Sequence, residues 1–235
     1  MGIKYIVTGT GRCGTMFMSR FLTSAGINCG HEVIFTNAGL ETAKSNLQIY
    51  SGLEAEASYM AAPYLSNPIL KDAKIIHVVR EPMKVINSFV VAYCYFLSGQ
   101  LNCNRGAGWT YEYPPGADPE FKFMRFIYRH ITELHNMRLT AVERAALYYI
   151  RWNEMIERGC AGRDFLFYPI ESDVTNLAKF IGADHRKDLY DDVNTNKAEY
   201  KKRYTLGSIP KGEIRTALLE IGQRYGYFRN VSLVL

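Results

Sequence analysis

The chain has 235 residues, 48% of them hydrophobic and 22% charged, so it can bury a sizeable core and intrinsic disorder is excluded. Lys and Arg number 28 against 23 Asp and Glu, a formal net charge of +5 with no basic block. That modest excess argues against a nucleic-acid partner and suits a small anionic ligand.

In chain order, Lys4–Thr8 (KYIVT) predicts a short strand, then a Gly-rich turn, then a helix over about Thr15–Ser24 closed by Gly26. Ile27–Gly30 follows as a second strand, and residues 37–60 read as weakly helical. Lys74–Val79 (KIIHVV) is β-branched and apolar throughout, which predicts a buried strand. It leads through Arg80-Glu81-Pro82 into a helix reaching about Leu97. Residues 98–120 form one long irregular stretch of Gly and Pro with Trp109, Tyr111 and Tyr113 between them; loops this long are more often functional than idle. Helical patterns resume over about 121–136 and Ala141–Arg158. In the second of these, Val142, Ala146, Tyr149 and Ile150 share a face, Thr140 and Glu143 make a capping box, and Gly159 supplies the stop. Asp164–Pro169 reads as a strand and Ser172–Ile181 as a helix ended by Gly182. A polar irregular region over 183–210 precedes a last helix at about Lys211–Tyr225. Short apolar runs alternating with helices predict α/β architecture: a central parallel β-sheet flanked by helices. No composition shift marks a linker, so residues 1–235 are expected to form a single domain.

The longest apolar run, Phe89–Leu97, falls short of the roughly 20 residues that span a bilayer, so no integral membrane association is expected. The chain runs directly into a strand, which predicts no signal peptide, and Ile6 stands where a myristoylation motif wants Ser or Thr. Cys13, Cys29, Cys94, Cys103 and Cys160 are scattered and form no CxxC or Cys/His cluster. Reduced thiols, a cytoplasmic location and no metal site are the expectation.

Thr8-Gly9-Thr10-Gly11-Arg12-Cys13-Gly14-Thr15 joins a strand to a helix. Glycines let backbone N–H groups converge at a helix N-terminus, where the dipole also favours an anion, so the turn reads as a phosphate site. A Walker A loop over Gly9–Gly14 needs Lys next and meets Thr15, which disfavours an ATPase or kinase. The dinucleotide string GxGxxG matches at Gly9, Gly11 and Gly14, with Glu32 about where the ribose acid would stand, but Arg12 is unexpected there. A helix N-terminus favours a lowered pKa at Cys13, but no partner base is readable and a thiol nucleophile is not expected. A second motif, Val79-Arg80-Glu81-Pro82 on to Ser88, puts an arginine at the C-terminal end of a buried strand, where open α/β sheets place ligands. Arg80 and Ser88 either converge on one anion, or Arg80 pairs with Glu81 or caps a loop.

Together, GTGRCGT and VVREPMKVINS resemble the sulfotransferase family that uses 3′-phosphoadenosine 5′-phosphosulfate, of the bacterial type with a P-loop NTPase-like fold. Arg80, Pro82 and Ser88 match its R-x-P-x(5)-S segment, and Arg151-Trp152-Asn153, Tyr168-Pro169-Ile170-Glu171 and Gly222-Gln223-Arg224-Tyr225-Gly226-Tyr227 look like further family landmarks. The resemblance implies that Gly11, Arg12, Cys13, Gly14, Thr15 and Met16 cradle the 5′-phosphosulfate. It implies that Arg80 and Ser88, with Lys211 as a candidate third ligand, hold the 3′-phosphate. Cys13 and Met16 depart from the family pattern, standing where it commonly has hydroxyl residues. The implied reaction is in-line transfer of a sulfuryl group to an acceptor hydroxyl or amine, without a metal, on a small molecule, glycan or lipid. The unmatched segments 33–70 and 98–135 are expected to line the acceptor pocket, with the aromatics of 109–113 either closing over it or packing in the core.

In this scheme Arg12 balances charge on the leaving phosphate, and Gly30-His31-Glu32 supplies the base. Adjacent residues on an extended chain point to opposite sides, so one of the two is expected to face the acceptor. The resemblance favours Glu32, and the intrinsic pKa favours His31. His77 reads as a satisfied core histidine, and His130 and His135 as members of a solvated face. Two other readings stand beside this one: an NAD(P)-binding oxidoreductase resting on the three glycines, and a non-catalytic phosphoadenosine-binding module.

Overall fold

β1 (Tyr5–Gly9), β2 (Cys29–His31), β3 (Ala55–Ala57), β4 (Lys74–Val79) and β5 (Phe165–Pro169) form one all-parallel sheet in the order β2-β3-β1-β4-β5. The structure is a computed structural model and describes residues 2–98, 119–136, 138–183 and 204–229. The aromatic stretch at 109–113 and most of 183–210 lie outside these residues. The described residues group into two compact units, one within Met1–Arg80 and Asn153–Lys197, the other within Glu81–Trp152 and Ala198–Leu235.

The first unit holds the whole sheet, with α1 (Thr15–Ser24), α2 (Leu40–Ile49) and α6 (Thr175–Ile181). Parallel strands need crossovers, and α1 and α2 provide the first two. Between β3 and β4 the chain instead makes two 3₁₀ turns, Tyr59–Tyr64 and Pro68–Leu70. Both faces of the central strands are covered, so Ile6, Val7, Ile75, Ile76 and Val78 are wholly buried. One face packs Val7, Ala57, Ile76 and Val78 against Met18, Phe21 and Leu22 of α1 and Leu177 and Ile181 of α6. Gly26 (φ 86°) and Gly182 (φ 69°) end their helices in the left-handed conformation, as expected.

Two sequence expectations in this unit are corrected. Residues 37–60 are not one helical stretch: α2 ends at Ile49 and Ala55–Ala57 is a strand. Ala and Glu favour helices, but β1 and β2 each offer this segment a parallel ladder, with Ala55 opposite both Tyr5 and Cys29. Nor does Gly159 stop its helix, because α5 (Ala141–Cys160) runs through it. A Cβ at Gly159 would stand 2.6 Å from that of Leu65, so the glycine serves close packing; Gly162 (φ 72°) makes the turn instead.

The second unit contains α3 (Pro82–Ser98), α4 (Pro119–His130), α5 up to Trp152, and α7 (Glu213–Arg224). Its core is aromatic: the Phe89 and Tyr148 rings stack with centroids 4.5 Å apart, and Trp152 packs against Tyr148 at 5.3 Å and Phe126 at 6.1 Å. Residues Ala145–Ile150 are all buried, so α5 is enclosed on more than the single face its sequence suggested. The capping box is present: Thr140 N–H donates to Glu143 Oε2 at 2.9 Å and Glu143 N–H to Thr140 Oγ1 at 3.3 Å. His130 is half-buried against Phe126 and Trp152, while His135 is exposed as expected. No helix among the described residues is long and apolar enough to cross a membrane.

Candidate functional site

The turn after β1 is shaped by three backbone features. Gly9 is pressed against β4: a Cβ there would lie 2.2 Å from the Val78 carbonyl oxygen and 2.5 Å from Cys13 Sγ. Arg12 (φ 72°) and Gly14 (φ 114°) are left-handed, and Cys13 N–H closes the turn on the Thr10 carbonyl at 3.2 Å. α1 then opens at Thr15 with no side-chain cap, its first intrahelical bond running from Met18 N–H to the Gly14 carbonyl. The N–H groups before Met18 have no helical acceptor, and the helix dipole adds positive potential, which suits an anion.

Arg80, just past β4, donates from Nη1 to the Arg12 carbonyl at 3.2 Å. It thus caps the loop and brings a second guanidinium to the turn. Glu81 has its own task, accepting the N–H groups of Met83 (2.9 Å) and Lys84 (2.7 Å) at the start of α3. Ser88, buried on α3, and Lys211, exposed just before α7, belong to the second unit. Gly11 is buried and Met16 is exposed on the first turn of α1.

Cys13 does not have the lowered pKa that a helix N-terminus favours. Its side chain is turned into the core with Val7 and Val78, and burial pushes the thiol up to about 12, outweighing the opposing pull of Arg80. Cys13 thus has no place in the turn as a nucleophile.

His31 and Glu32 come to the same place, contrary to the expectation that one would face away. β2 ends at His31, and Glu32 takes a left-handed backbone (φ 57°), so strand alternation no longer applies. His31 Nε2 lies 3.2 Å from Thr15 Oγ1 and 3.8 Å from Glu32 Oε1. Burial, helped by the charge of Arg20, lowers the His31 pKa. Burial raises Glu32 to about 7, with the Arg12 charge opposing the rise. Among the described residues only Arg12, Glu32 and Phe228 are non-glycine residues with positive φ. Such backbones cost of order 1 kcal/mol or more and cluster at functional sites.

Sequence reasoning missed Glu56, Asn46 and Ser58, which hold the segment after Glu32 in place. They lie in the stretch read as helical; the signal available was a lone Glu between alanines. His77 is the satisfied core histidine expected, its Nε2 2.9 Å from Asn153 Oδ1 and its pKa lowered by burial to about 4. Among the described residues no group of three or more His, Cys, Asp or Glu is arranged to hold a metal ion.

A cavity of about 400 Å³, lined by Ile3, Lys44, Leu47, Tyr50, Leu53 and Ile69 among others, opens at the N-terminal ends of β1 and β3. That part of 33–70 is therefore at the opposite edge of the sheet from the Gly-rich turn. Strand order bears on the oxidoreductase reading. Dinucleotide folds place β2 beside β1, with the ribose acid at its end, whereas here β3 separates them and Glu32 follows the edge strand. That order weighs against the dinucleotide match at Gly9, Gly11 and Gly14. No protein-family model and no curated protein sequence matches the chain.

Proposed function

We propose that the chain is a sulfotransferase of the P-loop-like fold, moving a sulfuryl group from 3′-phosphoadenosine 5′-phosphosulfate to a hydroxyl or amine of a small-molecule, glycan or lipid acceptor. One observation carries the reading: Arg12 and Glu32, oppositely charged and electrostatically coupled, are both held in left-handed backbone at a Gly-rich turn. The residues present suit the nucleotide, because an uncapped helix N-terminus and the guanidinium groups of Arg12 and Arg80 offer donors and positive charge to its anionic groups. The parts given to Ser88 and Lys211 rest on the sequence resemblance alone.

In the proposed reaction the acceptor oxygen or nitrogen forms a bond to sulfur as the bond from sulfur to the phosphate oxygen breaks. The departing phosphate keeps the electron pair, and Arg12 meets its charge. The acceptor proton passes to Glu32, whose pKa of about 7 suits a general base at neutral pH. His31 is engaged with Thr15 and serves to hold the wall of the site.

The test is differential thermal stabilisation. At a hundredfold excess over Kd a ligand of the folded state adds about 2.7 kcal/mol. 3′,5′-phosphoadenosine is expected to raise Tm by several degrees, AMP by far less, and Arg80→Ala to remove the difference between them. Stabilisation by NADPH and none by phosphoadenosine would sink the proposal. Binding without transfer of labelled sulfate to any acceptor in a cell extract would reduce it to a binding module.

A further inference from the structure

Glu56 stands at the centre of β3, opposite Ile6 on one side and Gly30 on the other, and is wholly buried. A carboxyl group in such a place is costly unless it is hydrogen-bonded. Its Oε1 accepts the N–H groups of Val33 at 2.8 Å and Ile34 at 2.9 Å, which are the residues directly after Glu32. Asn46 Nδ2 donates to the carbonyls of the same two residues at 2.9 and 3.1 Å. Glu32 N–H donates to the Ala57 carbonyl at 3.2 Å, and Ser58 Oγ to the Phe35 carbonyl at 3.0 Å. The second oxygen, Oε2, is buried with no hydrogen-bond partner among the described residues. It lies 2.3 Å from where a Cβ of residue 30 would stand, so the glycine there leaves it room.

We infer that Glu56 is a positioning residue for Glu32: Oε1 holds the N–H groups of Val33 and Ile34 and so fixes the backbone that presents Glu32 beside Arg12. The inference rests on the reading of Glu32 as the base. Burial raises both carboxyls to about 7, and the charge of Glu32 pushes Glu56 further in the same direction. The groups that face this pair come from three elements. Arg12, from the turn before α1, faces Glu32, and His31 at the end of β2 lies 3.8 Å from it. Cys29 on β2 feels the charge of Glu56, its thiol pushed up to about 12 chiefly by burial. Arg20 on α1 faces His31.

The experiment is a carbon-13 NMR titration of the glutamate carboxyls in the full chain, with the Glu32 signal identified by its loss in Glu32→Gln. Glu56→Gln keeps an acceptor for the Val33 and Ile34 N–H groups but carries no charge. In that variant the two amide resonances and the Glu32 midpoint are expected to stay near their native values. Glu56→Leu removes the acceptor and is expected to displace both amide resonances and to move the Glu32 midpoint from its native value; should it fail to fold, Glu56→Asp, whose shorter side chain draws the acceptor back from both N–H groups, is read in the same way. Native amide resonances and a native Glu32 midpoint in a folded variant that lacks the acceptor overturn the inference. Phosphoadenosine binding to the unaltered chain is measured alongside. Its absence would defeat the sulfotransferase reading and leave a Glu32 shift standing, whereas binding without a Glu32 shift would defeat the role of Glu56 alone.

Discussion

At the scale of single residues, the Gly-rich turn depends on what Gly9 lacks. The Val78 carbonyl occupies the space a side chain would need, and a backbone group of a central strand cannot swing aside. Gly9→Ala is therefore expected to destabilise the fold by about 2 kcal/mol through overpacking, read as a lower urea midpoint at unchanged m-value, and to weaken phosphoadenosine binding. The need for glycines at this turn was legible in the sequence, but not their separate tasks. Gly9 permits close approach, Gly14 supplies a positive φ, and the other left-handed position falls on Arg12, which no propensity marks. The fate of Cys13 was likewise hidden. The same turn buries its thiol, and desolvation outweighs the opposing pull of the Arg80 charge.

At the scale of elements, the long apolar or well-capped segments were readable and the short polar ones were not. KIIHVV at Lys74–Val79 could be only a buried strand, and α5 announced its start with a Thr and a Glu three residues apart. Because both halves of that capping box are made, Thr140→Ala is expected to cost about 1 kcal/mol, measured by chemical denaturation, with no effect on nucleotide binding. β3 was unreadable for a physical reason: three residues of Ala and Glu carry no β preference, and only their partners β1 and β2 make them a strand. With β3 went Glu56, and with Glu56 the means by which Glu32 is held. The candidate base was thus visible in the sequence, while its support was a property of the sheet.

For the whole molecule, buried titratable groups predict an uncommon pH profile. Glu32 and Glu56 have folded pKa values raised from 4.5 to about 7, so the folded state binds their protons more tightly. Their contribution to stability is fully present below about 4.5 and is lost as the pH rises through about 7. His77 is lowered from 6.5 to about 4, so its contribution is present above 6.5 and is lost as the pH falls through about 4. Just above pH 4.5 the two carboxyls outweigh the imidazole of His77, and Tm is expected to fall as the pH rises; toward 6.5 the lowered imidazoles of His31 and His130 join His77 and flatten the fall. In Glu56→Gln one carboxyl opposes His77, and calorimetry should find Tm nearly level over the window just above pH 4.5. A Tm that rises across it in the unaltered chain would contradict the burial of these carboxyls. The parallel α/β architecture was legible from the alternation of elements, whereas the strand order, which sets Glu32 on the sheet edge, was not.

The empty side-chain position at Gly30 also constrains how this sequence can vary over time. The Glu56 carboxyl already fills the volume that any larger residue at 30 would claim. An alanine at 30 would also have to displace Val33 Cγ2 and Leu53 Cδ1, 2.6 and 2.8 Å from where its Cβ would stand, so giving up the carboxyl at 56 does not by itself make room. Positions 30, 33, 53 and 56 are expected to drift as a linked set, with the order of substitution dictated by available space and not by charge.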